Sequence, residues 1–93
     1  MKKAFEQIEK EIRAEFIGGR YEGETATEEQ LTEIIGQSVE WYDTYIVDGV
    51  DDDETEDMYV MKSCFSTKDD SITIRIYYGD VTEEITYIGV SNN

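Results

Sequence analysis

The clearest strand pattern in this chain is SITIRIYY, residues 71–78, in which apolar and polar side chains alternate. The apolar set is Ile72, Ile74, Ile76 and Tyr78. A period of two places these side chains on one face of a sheet, whereas a helix would need spacings of three and four. The pattern therefore predicts a strand with one buried face.

The residues after this strand predict a hairpin. Gly79-Asp80 fits a two-residue type II′ turn, which favours glycine at its first position. Such a turn makes Tyr78 face Val81, and the rest of the register follows from that pair. The predicted cross-strand pairs are Ile74 with Ile85, Ile72 with Tyr87, Thr73 with Thr86, and Arg75 with Glu84. This register puts apolar pairs on the buried face and polar pairs on the other.

Two amphipathic helices are predicted ahead of the sheet. The first runs from Lys2 to Phe16, where apolar residues recur at spacings of three and four, and Gly18-Gly19 ends it. The second opens at the capping-box pattern Thr27-Glu28-Glu29-Gln30. It ends at Gly36 or continues to about Glu40.

Two more strands complete the predicted fold. The β-branched and aromatic residues of Ser38–Val47 favour a strand, although its first half also fits a helix, and Met58–Phe65 alternates as a strand does. We therefore predict an α+β fold in one domain, residues 1–93. Two N-terminal helices pack on an antiparallel β-meander of about four strands.

The composition of the 93-residue chain narrows the function classes. A single cysteine, Cys64, excludes an internal disulfide and a cysteine-based zinc site, and we expect it to be a partly buried structural thiol. There is no histidine for proton transfer near neutral pH, so we expect no enzyme activity, no catalytic residue and no cofactor. Residues 1–6 lack an apolar signal region and no apolar stretch is long enough to span a membrane. These features predict a cytoplasmic protein.

The charge is segregated along the chain. The formal net charge is −15, and residues 21–57 contain 14 acids and no base. A surface built only for solubility usually intersperses both signs. The unpaired acids therefore indicate a binding surface for a basic partner, with solubility as the simpler alternative.

The densest run of acids is Asp48–Asp57, which lies between the predicted strands Ser38–Val47 and Met58–Phe65. If this run is extended, its ten residues span about 33 Å and place about one carboxylate per 5 Å, near the 3.4 Å phosphate spacing of a DNA strand. The alternative is a solvated hairpin loop. The spacing fits no EF-hand, so no metal ligand is predicted. The predicted partner-binding acids are Glu40, Asp43, Asp48, Asp51, Asp52, Asp53, Glu54, Glu56 and Asp57.

Aromatic residues provide a second candidate contact. Seven tyrosines and one tryptophan exceed what a small core needs, so some should be exposed. In the predicted register Tyr77 points away from the isoleucine face, beside Lys62 and Arg75. We therefore include Tyr77 among the predicted partner-binding residues.

Together these features give the chain a recognisable overall character. In size, in the absence of His and Pro, in the acid run Asp48–Asp57 and in the aromatic-rich meander, it resembles small acidic inhibitors of bacterial defence encoded by phages and mobile elements. These are anti-CRISPR and anti-restriction proteins, several of which mimic DNA. The resemblance implies a cytoplasmic bacterial partner with a basic nucleic-acid-binding surface, such as a CRISPR effector or another nuclease.

We expect no direct binding to nucleic acid and no binding to a membrane. We expect a monomer or weak homodimer, since dense acids along a sheet edge oppose self-pairing. Two other functions stay open. One is an immunity protein or antitoxin that covers a basic nuclease toxin, and the other is an acidic protein that binds divalent cations.

Overall fold

The computed structural model describes residues 4–93, which form two helices followed by four strands. The elements are α1 (Phe5–Phe16), α2 (Glu28–Ile35), β1 (Val39–Gly49), β2 (Tyr59–Thr67), β3 (Ile72–Gly79) and β4 (Ile85–Asn92). The strands form one antiparallel sheet in the order β1-β2-β3-β4. The predicted α+β fold, with helices ahead of a four-stranded meander, is confirmed. Lys2 and Lys3, at the predicted start of the first helix, lie outside the described residues.

The second helix has the ends that its sequence predicts. The Thr27 hydroxyl accepts a hydrogen bond from the Gln30 amide, and the Gln30 side chain accepts one from the Thr27 amide, so the capping box is formed. At the other end Gly36 has a φ of +83°, a left-handed conformation that closes the last turn. The alternative continuation to Glu40 is therefore wrong.

Both helices pack on the isoleucine face of the sheet. α1 contributes Ile8, Ile12 and Phe16, and α2 contributes Leu31, Ile34 and Ile35. The sheet side of this core consists of Val39, Phe65, Ile72, Ile74, Ile76 and Ile88. The buried face predicted from the alternation in residues 71–78 is confirmed.

The first strand is attached to the fold mostly through polar contacts. Its first residue, Val39, is buried, and the rest of the strand is largely exposed. On the helix side, the Trp41 indole N–H donates to the Thr44 hydroxyl (2.7 Å), which lies 2.9 Å from the Ser63 hydroxyl. Ser63 in turn lies 3.1 Å from the Tyr78 hydroxyl. This hydrogen-bonded chain links β1, β2 and β3, and the alternative of a helical first half is wrong.

The predicted register of the last hairpin is wrong. Tyr78 pairs with Ile85 rather than facing Val81, and residues 80–84 form a longer loop. The observed pairs that replace the predicted ones are Ile74 with Val90, Ile72 with Asn92, Thr73 with Ser91, and Arg75 with Gly89. An irregularity between the Tyr78 and Tyr77 pairs also moves Tyr87 to the face opposite the helices, where its side chain is exposed.

Two aspartates from neighbouring loops explain the longer turn. The Asp57 carboxylate accepts hydrogen bonds from the Val81 and Thr82 amides at 2.9 and 2.7 Å, and from the Thr82 hydroxyl at 2.7 Å. In the other direction, the Asp80 carboxylate accepts the Met58 and Tyr59 amides. We call Asp57 and Asp80 the aspartate clamp. The type II′ prediction considers only the residues of the turn itself. It could not include these contacts, because they join residues more than 20 positions apart.

Candidate functional site

All nine predicted contact acids lie on one strand and the loop that follows it. Glu40, Asp43 and Asp48 belong to β1, and the remainder belong to the loop between β1 and β2. Eight of these side chains are exposed to solvent. We call this set the acidic ridge; its members are Glu40, Asp43, Asp48, Asp51, Asp52, Asp53, Glu54 and Glu56.

The loop part of the ridge is folded back, so the predicted extended row of about 33 Å is wrong. The Val50 amide donates to the Met58 carbonyl at 2.9 Å, which holds the two ends of the loop together. Between them the Asp52 carboxylate accepts the Glu54 amide at 2.9 Å and supports a turn. Pairing of β1 with β2 imposes this shape, because it brings the loop ends side by side. The acids form a compact cluster at the end of the hairpin.

No cation of residues 4–93 forms an ion pair with the acidic ridge. The ion pairs of this part of the chain join Arg13 to Glu9, and Arg20 to Glu15 and Glu33, all in or beside the helices. The ridge charges therefore repel one another without neutralisation from the fold, and salt should screen that repulsion.

The edge of β1 offers few free backbone donors to another strand. The Val39 amide donates to the Thr32 hydroxyl at 3.0 Å, and the Trp41 amide donates to the Glu28 carboxylate at 2.8 Å. Further along, the Thr44 amide donates to the Asp43 carboxylate at 2.9 Å. Side-chain acceptors on edge amides, together with negative charge, disfavour strand addition. A partner would therefore contact the ridge through its carboxylates.

Asp57 differs from the other predicted contact acids because its carboxylate is committed to the aspartate clamp. Hydrogen bonds from the Thr82 amide and hydroxyl, with a further amide bond from Val81, lower the pKa of Asp57 from 3.8 to about 2. Since the pKa is lowered in the folded state, the stabilisation that Asp57 supplies is present above about pH 4 and is lost as the pH falls towards 2. Its role in the described structure is to hold the 80–84 loop.

The clamp predicts a specific coupling between Asp57 and Gly79. A Cβ atom on Gly79 would overlap the Asp57 carboxylate, so Gly79→Ala must displace that carboxylate and break its bonds to the loop. We expect Gly79→Ala to lower the melting temperature by roughly 5–15 °C. In an Asp57→Ala background the same substitution should cost little, because the obstructing group is gone. Thermal denaturation of the two single variants and the double variant measures this coupling, and additive losses would contradict it.

The second predicted contact, Tyr77, lies where the sequence placed it, on the sheet face opposite the helices. We call this side the open face. Tyr77 pairs in register with Lys62, whose ammonium lies 5.5 Å from the Tyr77 ring centroid. Tyr45 and Tyr87 flank this pair and are not among the predicted contacts. Period-two spacing along β1 could have placed Tyr45 on the open face. Tyr87 could not be placed there, because the predicted hairpin register assigned it to the buried face.

Cys64 lies on the open face and is nevertheless buried. It pairs across the sheet with Arg75, and Tyr42 lies against it from the irregular part of β1. Burial raises the pKa of the Tyr42 phenol, with a further contribution from its hydrogen bond to the Cys64 thiol. This burial agrees with the expected structural thiol.

The described residues 4–93 contain no group of three or more carboxylates or thiols arranged to hold a metal ion. A cleft between α1 and α2 is lined in part by Glu15, Arg20 and Glu33. Arg20 already pairs with both of these glutamates. Within the same residues, neither helix has the length and apolar character needed to cross a membrane.

No protein-family model, curated protein or solved structure matches this chain.

Proposed function

We propose that this chain is a non-enzymatic acidic binding protein that inhibits a nucleic-acid-binding bacterial defence protein. The acidic ridge occupies the partner's basic nucleic-acid site, as expected of an anti-CRISPR-like inhibitor. One observation carries the proposal: eight exposed carboxylates lie together on β1 and its loop, with no ion pair to a cation of residues 4–93.

The dimensions of the ridge support this proposal. Glu40 and Asp48 pair across the sheet with Ser66 and Val60, which are six residue steps apart on β2; at about 3.3 Å per step this corresponds to about 20 Å of strand. That length matches the axial rise of roughly six nucleotides of one DNA strand. The loop acids add a compact group of charge at one end. A cleft lined by Lys and Arg for a phosphate backbone would thus meet negative charge over a comparable length.

The electrostatics also favour a binding role over solubility alone. Positive charges in a basic cleft would offset the mutual repulsion of the ridge carboxylates. Loss of this electrostatic repulsion would stabilise the complex relative to the free chain. Association of this kind is fast at low salt and slows as salt rises.

Displacement of DNA from purified nucleases tests the proposal. Three basic, Mg²⁺-dependent nucleases serve as probes: a guide-loaded CRISPR effector, a restriction endonuclease and a nuclease toxin domain. The chain is titrated against each nuclease bound to a fluorescent DNA duplex, at about 50 mM and about 300 mM NaCl. We expect displacement from at least one nuclease at low salt and weaker displacement at high salt.

A gel shift with the chain and DNA alone is the control, since the proposal includes no direct DNA binding. Displacement from the defence nucleases supports the proposed inhibitor. Displacement from the toxin domain alone supports the immunity-protein alternative instead. No displacement at low salt from any of the three, or displacement that is independent of salt, would overturn the proposal.

A further inference from the structure

The open face carries a continuous row of side chains across all four strands. Tyr45, Lys62, Tyr77 and Tyr87 occupy β1, β2, β3 and β4 in turn, and each is paired in register with the next. The Lys62 ammonium lies 5.0 Å from the Tyr45 ring centroid and 5.5 Å from that of Tyr77. The Tyr77 and Tyr87 rings are 5.5 Å apart. The row is therefore one contiguous aromatic surface with a cation within it.

A second cation stands beside this row. Arg75 lies between Cys64 and Gly89 in the neighbouring cross-strand position, and its guanidinium donates to the Ser91 hydroxyl at 2.7 Å. Gly89 has no side chain, and the Tyr87 ring passes within 3.5 Å of the position that its Cβ would take. Arg75 and Tyr87 thus share the β4 side of the face.

Neither Lys62 nor Arg75 has a carboxylate of residues 4–93 within ion-pair distance. This is notable in a chain with 23 acids, because Lys62 and Arg75 are two of only three bases after residue 20. Lys62 contacts tyrosine rings and Arg75 contacts a serine. The centre of the face is therefore positive and aromatic, while its β1 border carries acids such as Glu40.

We propose that the open face is the second half of the interface, and that it docks on the catalytic carboxylates of a metal-dependent nuclease. This inference rests on the proposed function and names the part of the partner that is covered. A surface complementary to the chain needs negative groups opposite Lys62 and Arg75, and positive groups opposite the ridge. Carboxylates that hold Mg²⁺, set among the Lys and Arg that bind phosphates, have that arrangement.

Charge and area argue against a second copy of the chain as the occupant. Each copy carries a net charge of −15, so face-to-face pairing would bring two acidic borders together. Four strands and about six residues per strand give the face roughly 400 Å², about half of the roughly 800 Å² per partner of a stable interface. A partner that also contacts the ridge supplies the remaining area. Tyr and Arg are also the residues most enriched among binding hot spots.

The test uses Lys62→Gln and Arg75→Gln, with Lys68→Gln as the matched control. Lys68 is exposed and lies after β2, away from the row. All three changes remove one positive charge, so attraction by the ridge alone predicts slightly tighter binding to a basic nuclease for every variant. Docking on carboxylates predicts the opposite for Lys62→Gln and Arg75→Gln: each should dissociate roughly tenfold or more faster from the nuclease that the wild-type chain binds among the three. Tyr87→Ala should also speed dissociation.

A second readout separates the two proposals. If Mg²⁺ and the chain compete for the same carboxylates, about 10 mM Mg²⁺ at matched ionic strength should weaken wild-type binding, and Arg75→Gln should be less affected. Melting curves confirm that each variant is folded. Equal or tighter binding by Lys62→Gln and Arg75→Gln, with ridge-dependent displacement intact, would overturn this inference and leave the proposed function standing.

The remaining outcomes are also decisive. Absence of any wild-type binding at low salt would overturn both proposals. A wild-type dimer in sedimentation that Arg75→Gln dissociates would make a second copy the occupant and overturn the inference.

Discussion

Neutralising four ridge acids, by Asp51→Asn, Asp52→Asn, Asp53→Asn and Glu54→Gln together, is expected to slow association with the target nuclease by roughly tenfold to a hundredfold at low salt. Electrostatic steering accounts for about two to three orders of magnitude in association rate between oppositely charged proteins, and this variant removes half of the ridge. The dissociation rate should change less, because exposed charges contribute mainly to encounter. Surface plasmon resonance at several salt concentrations measures both rates.

A second quadruple variant separates the ridge from net charge. Glu6→Gln, Glu22→Gln, Glu29→Gln and Glu83→Gln change the charge by the same amount at exposed positions outside the ridge. This control should retain most of the association rate and the steep dependence on salt. Equal slowing by the two variants would mean that total charge, and not the ridge, attracts the partner.

Replacing Ile74 by alanine is expected to cause a large loss of stability. Ile74 has no exposed surface, and it lies on β3 between Phe65 of β2 and Val90 of β4. Removing its side chain leaves a cavity in a closely packed region, which costs about 2–5 kcal/mol. A domain of this size has about 5–15 kcal/mol of stability, so the melting temperature should fall by roughly 10–30 °C.

Ile46 provides the matched control, because Ile46→Ala removes the same atoms from a side chain that is 56% exposed. That change should alter the free energy of unfolding by no more than about 0.5 kcal/mol. Urea denaturation of both variants gives the comparison. Similar losses at the two positions would contradict the assignment of the helix-covered face as the stabilising core.

The helices, strands and buried face followed from short-range patterns. Period-two alternation in residues 71–78 identified β3 and its inward face. The Thr27 capping box and Gly36 bounded α2. Each of these signals lies within a few neighbouring residues, and the same residues make the contacts in the fold. These elements are therefore predictable from the sequence because the interactions that decide them are local.

The candidate site was predictable in part. Concentrated acids from Glu40 onwards are visible in the sequence, and so is the tendency of Tyr77 to lie opposite the isoleucines. The role of Asp57 was not visible, because nothing local distinguishes it from Glu56. Its carboxylate is held by groups 24 and 25 residues further along the chain.

The amino-acid sequence by itself determined the order of elements, the apolar face and the segregation of negative charge, since all three depend on residue type and near-neighbour spacing. Only the tertiary structure decided the hairpin register, the compact form of the acidic loop and the row of Tyr45, Lys62, Tyr77 and Tyr87. The physical reason is that hydrogen bonds from distant loops, through Asp57 and Asp80, stabilise a longer turn than the local preference of Gly79-Asp80 selects.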